Sequence, residues 1–351
     1  MTPTQPSPPE YNLTGVSYAD RQHFRYDGPL IDAHAHATMT HPNDSPGFPG
    51  GSGRNGSVAP AELMLDVARE FGIVRTYAMC PPQDIPPLRE RFGPQLGFNG
   101  LLQKREDEPD DVAYRLLDQF LEQGVEIIKF WGPPRGCEEG LFVDAPWRRK
   151  VVERARAAGV RVFMVHVSDP DTWFARAYAD VLRYGKKQEH YFGLLFLLNL
   201  FPDVTWIAAH MGGDPENPDH LEELLQCYPH LYFDTSATKW QVREVSRQRD
   251  GIRGVICRHP SRFLFGVDLA TRHALVREHY VSRYWCQRTL WESTWEGPSP
   301  VADGDYQPAA GEPPLPALRG LGLPPDVLRQ VYHENARRLL PACATANPAP
   351  L

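Results

Sequence analysis

The sequence predicts an α/β protein built as a (β/α)8 TIM barrel, and three observations favour this fold. Eight short apolar runs lie between residues 30 and 270, and most are continuous rather than alternating, as in parallel strands buried on both faces. Longer amphipathic stretches separate these runs, so a strand–helix order repeats along the chain. No glycine-rich G-x-G-x-x-G follows the first run, which disfavours an open dinucleotide-binding sheet.

The predicted strands are, in chain order, 30–37, 72–80, 95–102, 125–132, 160–168, 204–213, 231–237 and 262–270. Helices are predicted over 60–72, 110–124, 145–159, 219–229 and 325–341, and the first three end at a glycine. The run YFGLLFLLNLF at 191–201 is too short to span a bilayer and predicts a buried helix.

The barrel domain is expected to cover residues 29–345. A Pro-rich, polar segment at 1–28 predicts an N-terminal arm or disordered tail without a signal peptide, and 346–351 predicts a short tail. After the eighth strand, residues 271–322 form a stretch longer than a barrel needs. It predicts an insertion after strand 8 that acts as a lid or a dimer contact.

Composition narrows the class of protein. The net charge is −7 with scattered basic residues, which argues against nucleic acid or an anionic membrane as a partner. The six cysteines are far apart and include no C-x-x-C, which is typical of reduced thiols in the cytoplasm. A cytoplasmic protein acting on a small molecule is therefore expected.

Polar side chains end several of the predicted strands. They are His34 and His36 on the first strand, Lys129 on the fourth, His166 on the fifth, His210 on the sixth and Asp268 on the eighth. A barrel gathers its active site at this end of the strands. Because residues i and i+2 of a strand face the same way, His34 and His36 can both point into the barrel mouth. Imidazoles and a carboxylate suit Zn²⁺ or a similar divalent ion.

Five motifs together resemble the amidohydrolase superfamily, and its amidohydrolase-2 branch most closely: DAHAHA, VFMVHVSD, WIAAHMGGD, FLFGVD and HENARRLL. The resemblance covers residues 29–341. That branch contains metal-dependent hydrolases and aminocarboxymuconate-semialdehyde-type decarboxylases. An H-x-H pair alone is a weak signal in a chain with 13 histidines, but the ordered set at barrel-like spacing is strong.

The resemblance implies roles for the strand-end residues. It implies metal ligation by His34, His36, His166 and Asp268. His210 and Asp268 fall on the positions that exchange protons with substrate, and Lys129 falls where binuclear members carry a carboxylated lysine that bridges two metals. One divalent ion, Zn²⁺ in particular, is favoured over two. The GVDLA run departs from the usual Ser-Asp pairing at strand 8, and relatives often form homodimers.

Three functions remain open at this point. The first is a hydrolase in which a metal-activated water attacks a C=O or related bond. The second is a non-oxidative decarboxylase of an aromatic or unsaturated carboxylate, and the third is a non-catalytic metal-binding barrel. Trp131 and Arg135, just past the fourth strand, are predicted to contact substrate. The histidines at 190, 220, 230, 259, 273 and 279 are expected at the surface.

Overall fold

The computed structural model describes residues 10–39, 57–132, 134, 142–271 and 275–340. Its main sheet is entirely parallel and runs in the order β8-β7-β6-β5-β4-β3-β2-β1-β9. The strands are β1 (Leu30–His36), β2 (Ile73–Met79), β3 (Leu96–Leu102), β4 (Ile127–Phe130), β5 (Val162–Val165), β6 (Thr205–Ala208), β7 (Leu231–Asp234), β8 (Phe263–Leu264) and β9 (Leu269–Ala270).

The sheet closes into a barrel because β8 and β9 are two halves of the eighth predicted strand. β8 pairs with β7, while β9 pairs with β1 at the opposite end of the sheet order. Between the halves, the amide of Ala33 donates to the carbonyl of Phe265 at 2.9 Å, and the amide of Asp268 donates to the carbonyl of His34 at 2.7 Å. The predicted (β/α)8 barrel is confirmed, with its last strand interrupted.

Helices follow the strands around the barrel. They are α1 (Ala59–Glu70), α2 (Ile85–Phe92), α3 (Asp110–Glu122), α4 (Pro146–Ala157), α5 (Asp171–Phe174), α6 (Val181–Tyr184), α7 (Lys187–Leu200), α8 (Pro218–Cys227), α9 (Trp240–Arg247), α10 (Arg249–Arg258), α11 (Arg277–Glu292), α12 (Pro325–Arg329) and α13 (Asn335–Leu339). A π-helical turn at Gln330–Glu334 joins the last two. Proline in the first turn begins α1, α4 and α8, where its missing N–H costs no hydrogen bond.

The helix predicted over 191–201 exists as α7, but the expectation that it is buried is only half right. Tyr191 and Leu194 are buried against the barrel, whereas the side chains of Phe192 and Phe196 are 66% and 42% exposed. Positions 192 and 196 are one turn apart, so both lie on the face of α7 that the described chain leaves uncovered. A continuous apolar run carries no periodicity that would reveal two different faces.

The segment after the eighth strand consists of α11 and a hairpin made of β10 (Glu296–Pro298) and β11 (Ala317–Arg319). Most of α11 is buried, and the N-terminal residues lie against it. The indole of Trp285 donates to the carbonyl of Asp20 at 3.0 Å, and Glu292 accepts the backbone N–H groups of Arg25 and Tyr26. Within the described part of the chain, no helix is both long and apolar enough to cross a membrane.

Candidate active site

A cavity of about 510 Å³ opens at the carboxyl ends of the strands. It is lined by His34, His36, Lys129, Trp131, His166, His210 and Asp268, together with Thr38, Met79, Leu101, Asp169, Trp173, Tyr178, Ala237, Trp240, Ala270 and Thr271. The structure therefore brings the predicted site residues together around one cavity, with the exception of Arg135. That residue lies outside the described part of the chain.

Three side chains of this cavity converge on one point. Nε2 of His36 lies 3.1 Å from Oδ1 of Asp268, and Nε2 of His34 lies 3.5 Å from the same oxygen. One donor atom from each residue falls within 4.8 Å of the other two. Ligand atoms of a tetrahedral zinc ion, at roughly 2.1 Å from the metal, are about 3.4 Å apart. Two imidazoles and one carboxylate at this spacing fit a shared divalent ion.

Asp268 is well suited to be an ionised member of this group. Although burial opposes its charge, the neighbouring His34 and the hydrogen bond from His36 hold the pKa of the carboxyl well below its usual range. Asp268 also has a positive φ of +58°, a left-handed conformation that is strained for a residue other than glycine. This strain lies at the break between β8 and β9, as is common at functional sites.

His34 is oriented from behind by a buried aspartate that the sequence analysis missed. Nδ1 of His34 lies 2.8 Å from Oδ2 of Asp234, at the end of β7, and both side chains are buried. Burial opposes the charge of Asp234, but the adjacent His34 lowers the pKa of this carboxyl. An ionised Asp234 accepts the Nδ1–H of His34, which leaves the Nε2 lone pair of His34 for a metal.

The same carboxylate also reaches His210 through Ser236. The hydroxyl of Ser236 donates to Oδ1 of Asp234 at 2.5 Å, and Nδ1 of His210 lies 2.7 Å from the Ser236 oxygen. Because Ser236 gives its one proton to Asp234, its oxygen accepts Nδ1–H from His210. Burial holds the pKa of His210 well below its usual value, so this imidazole is neutral and its Nε2 is a free base.

The loop that carries His210 has an unusual backbone. His210 and Met211 have φ values of +57° and +53°, and Gly212 and Gly213 continue the left-handed conformation. A Cβ at Gly213 would lie 1.9 Å from the carbonyl oxygen of Ser168, so only glycine fits. The hydroxyl of Tyr191 donates to the carbonyl of Gly212 at 2.7 Å. Steric contact and hydrogen bonding thus fix the backbone from which the His210 side chain extends.

His166 lies in the cavity but outside the convergent donors. Its Nε2 is 3.1 Å from Oδ1 of Asp169, and its ring centroid is 5.2 Å from that of His210. Neither of the two metal-compatible groups formed by the described residues contains it. Its role as a ligand stays a prediction, and Asp169 is a further polar residue of the cavity that the sequence analysis missed.

Lys129 is buried beside His34, with Nζ 3.2 Å from its Nε2. Burial lowers the pKa of the ammonium to about 8, a shift that the charges of Asp234 and Asp268 partly offset. A lysine that loses its proton this readily is chemically able to form a carbamate. The bridging role implied by the resemblance stays a prediction.

Two histidines expected at the surface are buried instead. His190 and His279 are only 7% and 3% exposed, and Nε2 of His279 lies 3.1 Å from the carbonyl of Ala270. These residues stand on α7 and α11, whose positions against the barrel the local sequence does not reveal. His220 is half-buried and its Nδ1 lies 2.7 Å from Oδ2 of Asp214.

Aromatic side chains form the walls of the cavity. The centroid of Trp131 lies 6.2 Å from that of His166, and the ring of Trp240 stands edge-on to His210 at 6.0 Å. Trp173 and Tyr178 complete this wall. Flat apolar surfaces next to a polar cluster suit a small molecule with both a planar part and a polar reacting group.

A family model described as Amidohydrolase matches residues 31–342. The chain therefore belongs to the amidohydrolase family, a class of metal-dependent enzymes. The particular reaction is not fixed by this assignment. A search of curated protein sequences gives no significant match.

Several solved structures share the fold at low sequence identity. A zinc-bound amidohydrolase from Burkholderia multivorans is 12% identical, with a TM-score of 0.51, covering 89% of this chain and 99% of that one. A 2,6-dihydroxybenzoate decarboxylase in complex with 2,6-dihydroxybenzoate is 14% identical, with a TM-score of 0.50, covering 89% and 98%. An organophosphorus hydrolase mutant from Deinococcus radiodurans is 12% identical, with a TM-score of 0.49, covering 94% and 96%.

Proposed function

We propose that this protein is a metal-dependent hydrolase. Its activated water would attack a C=O or related bond of a small molecule. The observation that carries this proposal is the convergence of His34, His36 and Asp268 within 4.8 Å in the cavity. His34, His36 and Asp268 would hold the ion, with His166 as the further ligand that the resemblance implies. Zn²⁺ is the proposed metal, and a bound Zn²⁺ supplies Lewis acidity and lowers the pKa of a water molecule.

The protein side chains divide the proton transfers between them. Asp268 is ionised and about a third exposed to the cavity, so it can accept a proton from water. His210 is neutral with its Nδ1–H bonded to Ser236, so its Nε2 starts without a proton. It can take up the proton that water loses, directly or by way of Asp268, and release that same proton to the leaving group. Trp131 and Trp240 would bind the planar part of the substrate, while Arg135 remains a proposed contact.

A second candidate is a non-oxidative decarboxylase of an aromatic or unsaturated carboxylate. The aromatic wall formed by Trp131, Trp173, Tyr178 and Trp240 favours it, because such rings contact a conjugated plane well. In that reaction a proton must replace the departing carboxyl group, and neutral His210 would first need to gain one. The two reactions share the metal ligands and differ in the role of water.

The deciding experiment screens the zinc-loaded full-length protein against both substrate classes. Dihydrocoumarin, γ-butyrolactone and small anilides test hydrolysis, and 2,6-dihydroxybenzoate tests CO₂ release. Hydrolysis that is lost in His36→Asn and Asp268→Asn, but kept in His230→Asn, supports the hydrolase. The control residue His230 lies at the other end of β7, where its Nε2 is 3.0 Å from the carbonyl of Leu198. Release of CO₂ without hydrolysis would establish the decarboxylase instead.

A further inference from the structure

Trp173, on α5, stands in the wall of the cavity between two other aromatic rings. Its centroid lies 6.1 Å from that of Tyr178 and 6.5 Å from that of Trp240. Trp240 in turn contacts His210 edge-on. The position of Trp173 therefore helps to set the width of the cavity. α5 has only four residues, so its own hydrogen bonds give it little rigidity.

A buried guanidinium ties α5 to its surroundings. Arg243, one turn after Trp240 on α9, is 2% exposed, and its Nη2 donates to the hydroxyl of Thr172 at 3.1 Å. Its Nη1 donates to the carboxylate of Asp303, and its Nε donates to Glu244 at 2.6 Å. One side chain thus links the residue next to Trp173 with α9 and with the segment that follows β10.

The short segment 303–305 holds α5 from a second side. The Asp303 carboxylate is 1% exposed, and its Oδ1 accepts the backbone N–H of Asp305 at 3.1 Å. The carbonyl of Asp305 accepts a hydrogen bond from Nη1 of Arg176 at 2.6 Å. The segment therefore reaches residues on both sides of Trp173. A carboxylate this buried stays ionised only when it is paired with a cation, so the charge of Asp303 depends on Arg243.

We propose that segment 303–305 is a positioning element of the substrate cavity, and that the buried Arg243–Asp303 pair fixes Trp173 as the wall against which the planar part of a substrate packs. The effect that this ion pair is expected to have on substrate binding rests on the proposed function. The ring contacts of Trp173 are with Tyr178 and Trp240 rather than with His34 or His36. Trp173 is therefore expected to contribute equally to binding of the ground state and of the transition state. Loss of such an interaction raises KM and leaves kcat unchanged.

The first test follows Trp173 without measuring activity. The full-length protein is labelled with 5-fluorotryptophan, and Trp173→Phe identifies the Trp173 signal in the fluorine NMR spectrum. In Asp303→Asn this signal should shift or broaden, while that of Trp206, fully buried in β6, stays in place. Thr172→Val, which removes only the hydroxyl that Arg243 contacts, should move the Trp173 signal in the same way. Asp305→Asn keeps the backbone contacts and should leave it unchanged.

The second test is kinetic. With dihydrocoumarin as substrate, Asp303→Asn should raise KM about tenfold and keep kcat within about twofold, whereas KM for the smaller γ-butyrolactone should stay constant. A fall in kcat at unchanged KM would overturn the proposal, as would an unmoved Trp173 signal in both variants. If Asp303→Asn does not fold, Thr172→Val decides. If the wild-type protein hydrolyses none of the lactones and anilides, the proposed function fails while the NMR result still decides the positioning role.

Discussion

Nδ1 of His34 lies 2.8 Å from Oδ2 of Asp234, although 200 residues separate them in the chain. The other oxygen of the same carboxylate accepts the backbone N–H of His210 at 2.8 Å. One buried aspartate at the end of β7 thus orients a proposed metal ligand on β1 and a proposed proton carrier after β6. The orientation of the two imidazoles is therefore coupled.

Asp234→Asn is expected to weaken zinc binding about 10–100-fold, because an amide accepts the Nδ1–H of His34 less strongly than a carboxylate does. Competition with a chelator of known zinc affinity measures the effect. Asp203→Asn is the control, since Asp203 pairs with Arg156 on the surface at 2.6 Å. Equal zinc affinity in Asp234→Asn and the wild type would contradict the orienting role.

His210→Asn is expected to lower kcat about 10²–10⁴-fold, because asparagine has no basic nitrogen to carry a proton. The zinc content should stay equal to that of the wild type, since the proposed ligands are untouched. Turnover and metal analysis on the same preparation separate the two effects. Unchanged turnover on every substrate would mean that His210 is not catalytic and that the proton carrier is a different residue.

Gly213→Ala is expected to lower the free energy of unfolding by more than about 3 kcal/mol, because its Cβ would clash with backbone that cannot move independently. Gly124→Ala is a matched control. Its φ is also positive, +63°, but no atom lies within 4 Å of the added Cβ, so only the backbone strain of about 1 kcal/mol remains. Urea denaturation of both variants measures the difference. Equal losses would show that the Ser168 carbonyl does not constrain the loop.

Glu216 should make stability depend on pH. Asp171, Asp214 and Glu216 share one buried ammonium, that of Lys187, and burial raises the pKa of Glu216 from 4.5 to about 7. The folded protein therefore binds this proton more tightly than the unfolded chain. The resulting stabilisation is complete below pH 4.5 and is lost as the pH rises through 7, a change of about 3 kcal/mol.

Glu216→Gln removes this titration. The free energy of unfolding of the wild type, relative to that of the variant, should fall between pH 4.5 and 7. Urea denaturation at several pH values gives both curves. Parallel curves across this range would show that Glu216 is ionised in the folded protein, with its charge neutralised by Lys187.

The barrel was predictable because strands buried on both faces have continuous apolar sequences. The position of the cavity was predictable because histidines lie at the ends of several of these strands. The local pattern around His34 and His36 and the run before His210 predicted both the strands and the cavity. Asp234 was missed, although it lies three residues before the end of the predicted strand 231–237 and so carried the same signal as Lys129 and His210. Its place behind His34 depends on packing between β1 and β7.

Other differences between the predictions and the structure also arise from features that the local sequence does not show. The apolar run of α7 shows no period, so its exposed phenylalanines were indistinguishable from its buried leucines. The bond between His166 and Asp169 arises from the turn after β5, whose geometry the sequence does not specify. The break in the eighth strand includes the positive φ of Asp268, which is uncommon for a residue other than glycine and which no local pattern predicts.

That break puts the closure of the barrel and the proposed metal site in the same place. Residues 265–268 connect the two end strands of the sheet, β8 and β9, and there Oδ1 of Asp268 lies 3.1 Å from Nε2 of His36 on the first strand. The proposed ligands on β1 and at residue 268 are therefore brought together by the closure of the barrel itself. Inserting one residue between 265 and 268 is therefore expected to disturb the closure of the barrel and the position of the Asp268 carboxylate at the same time.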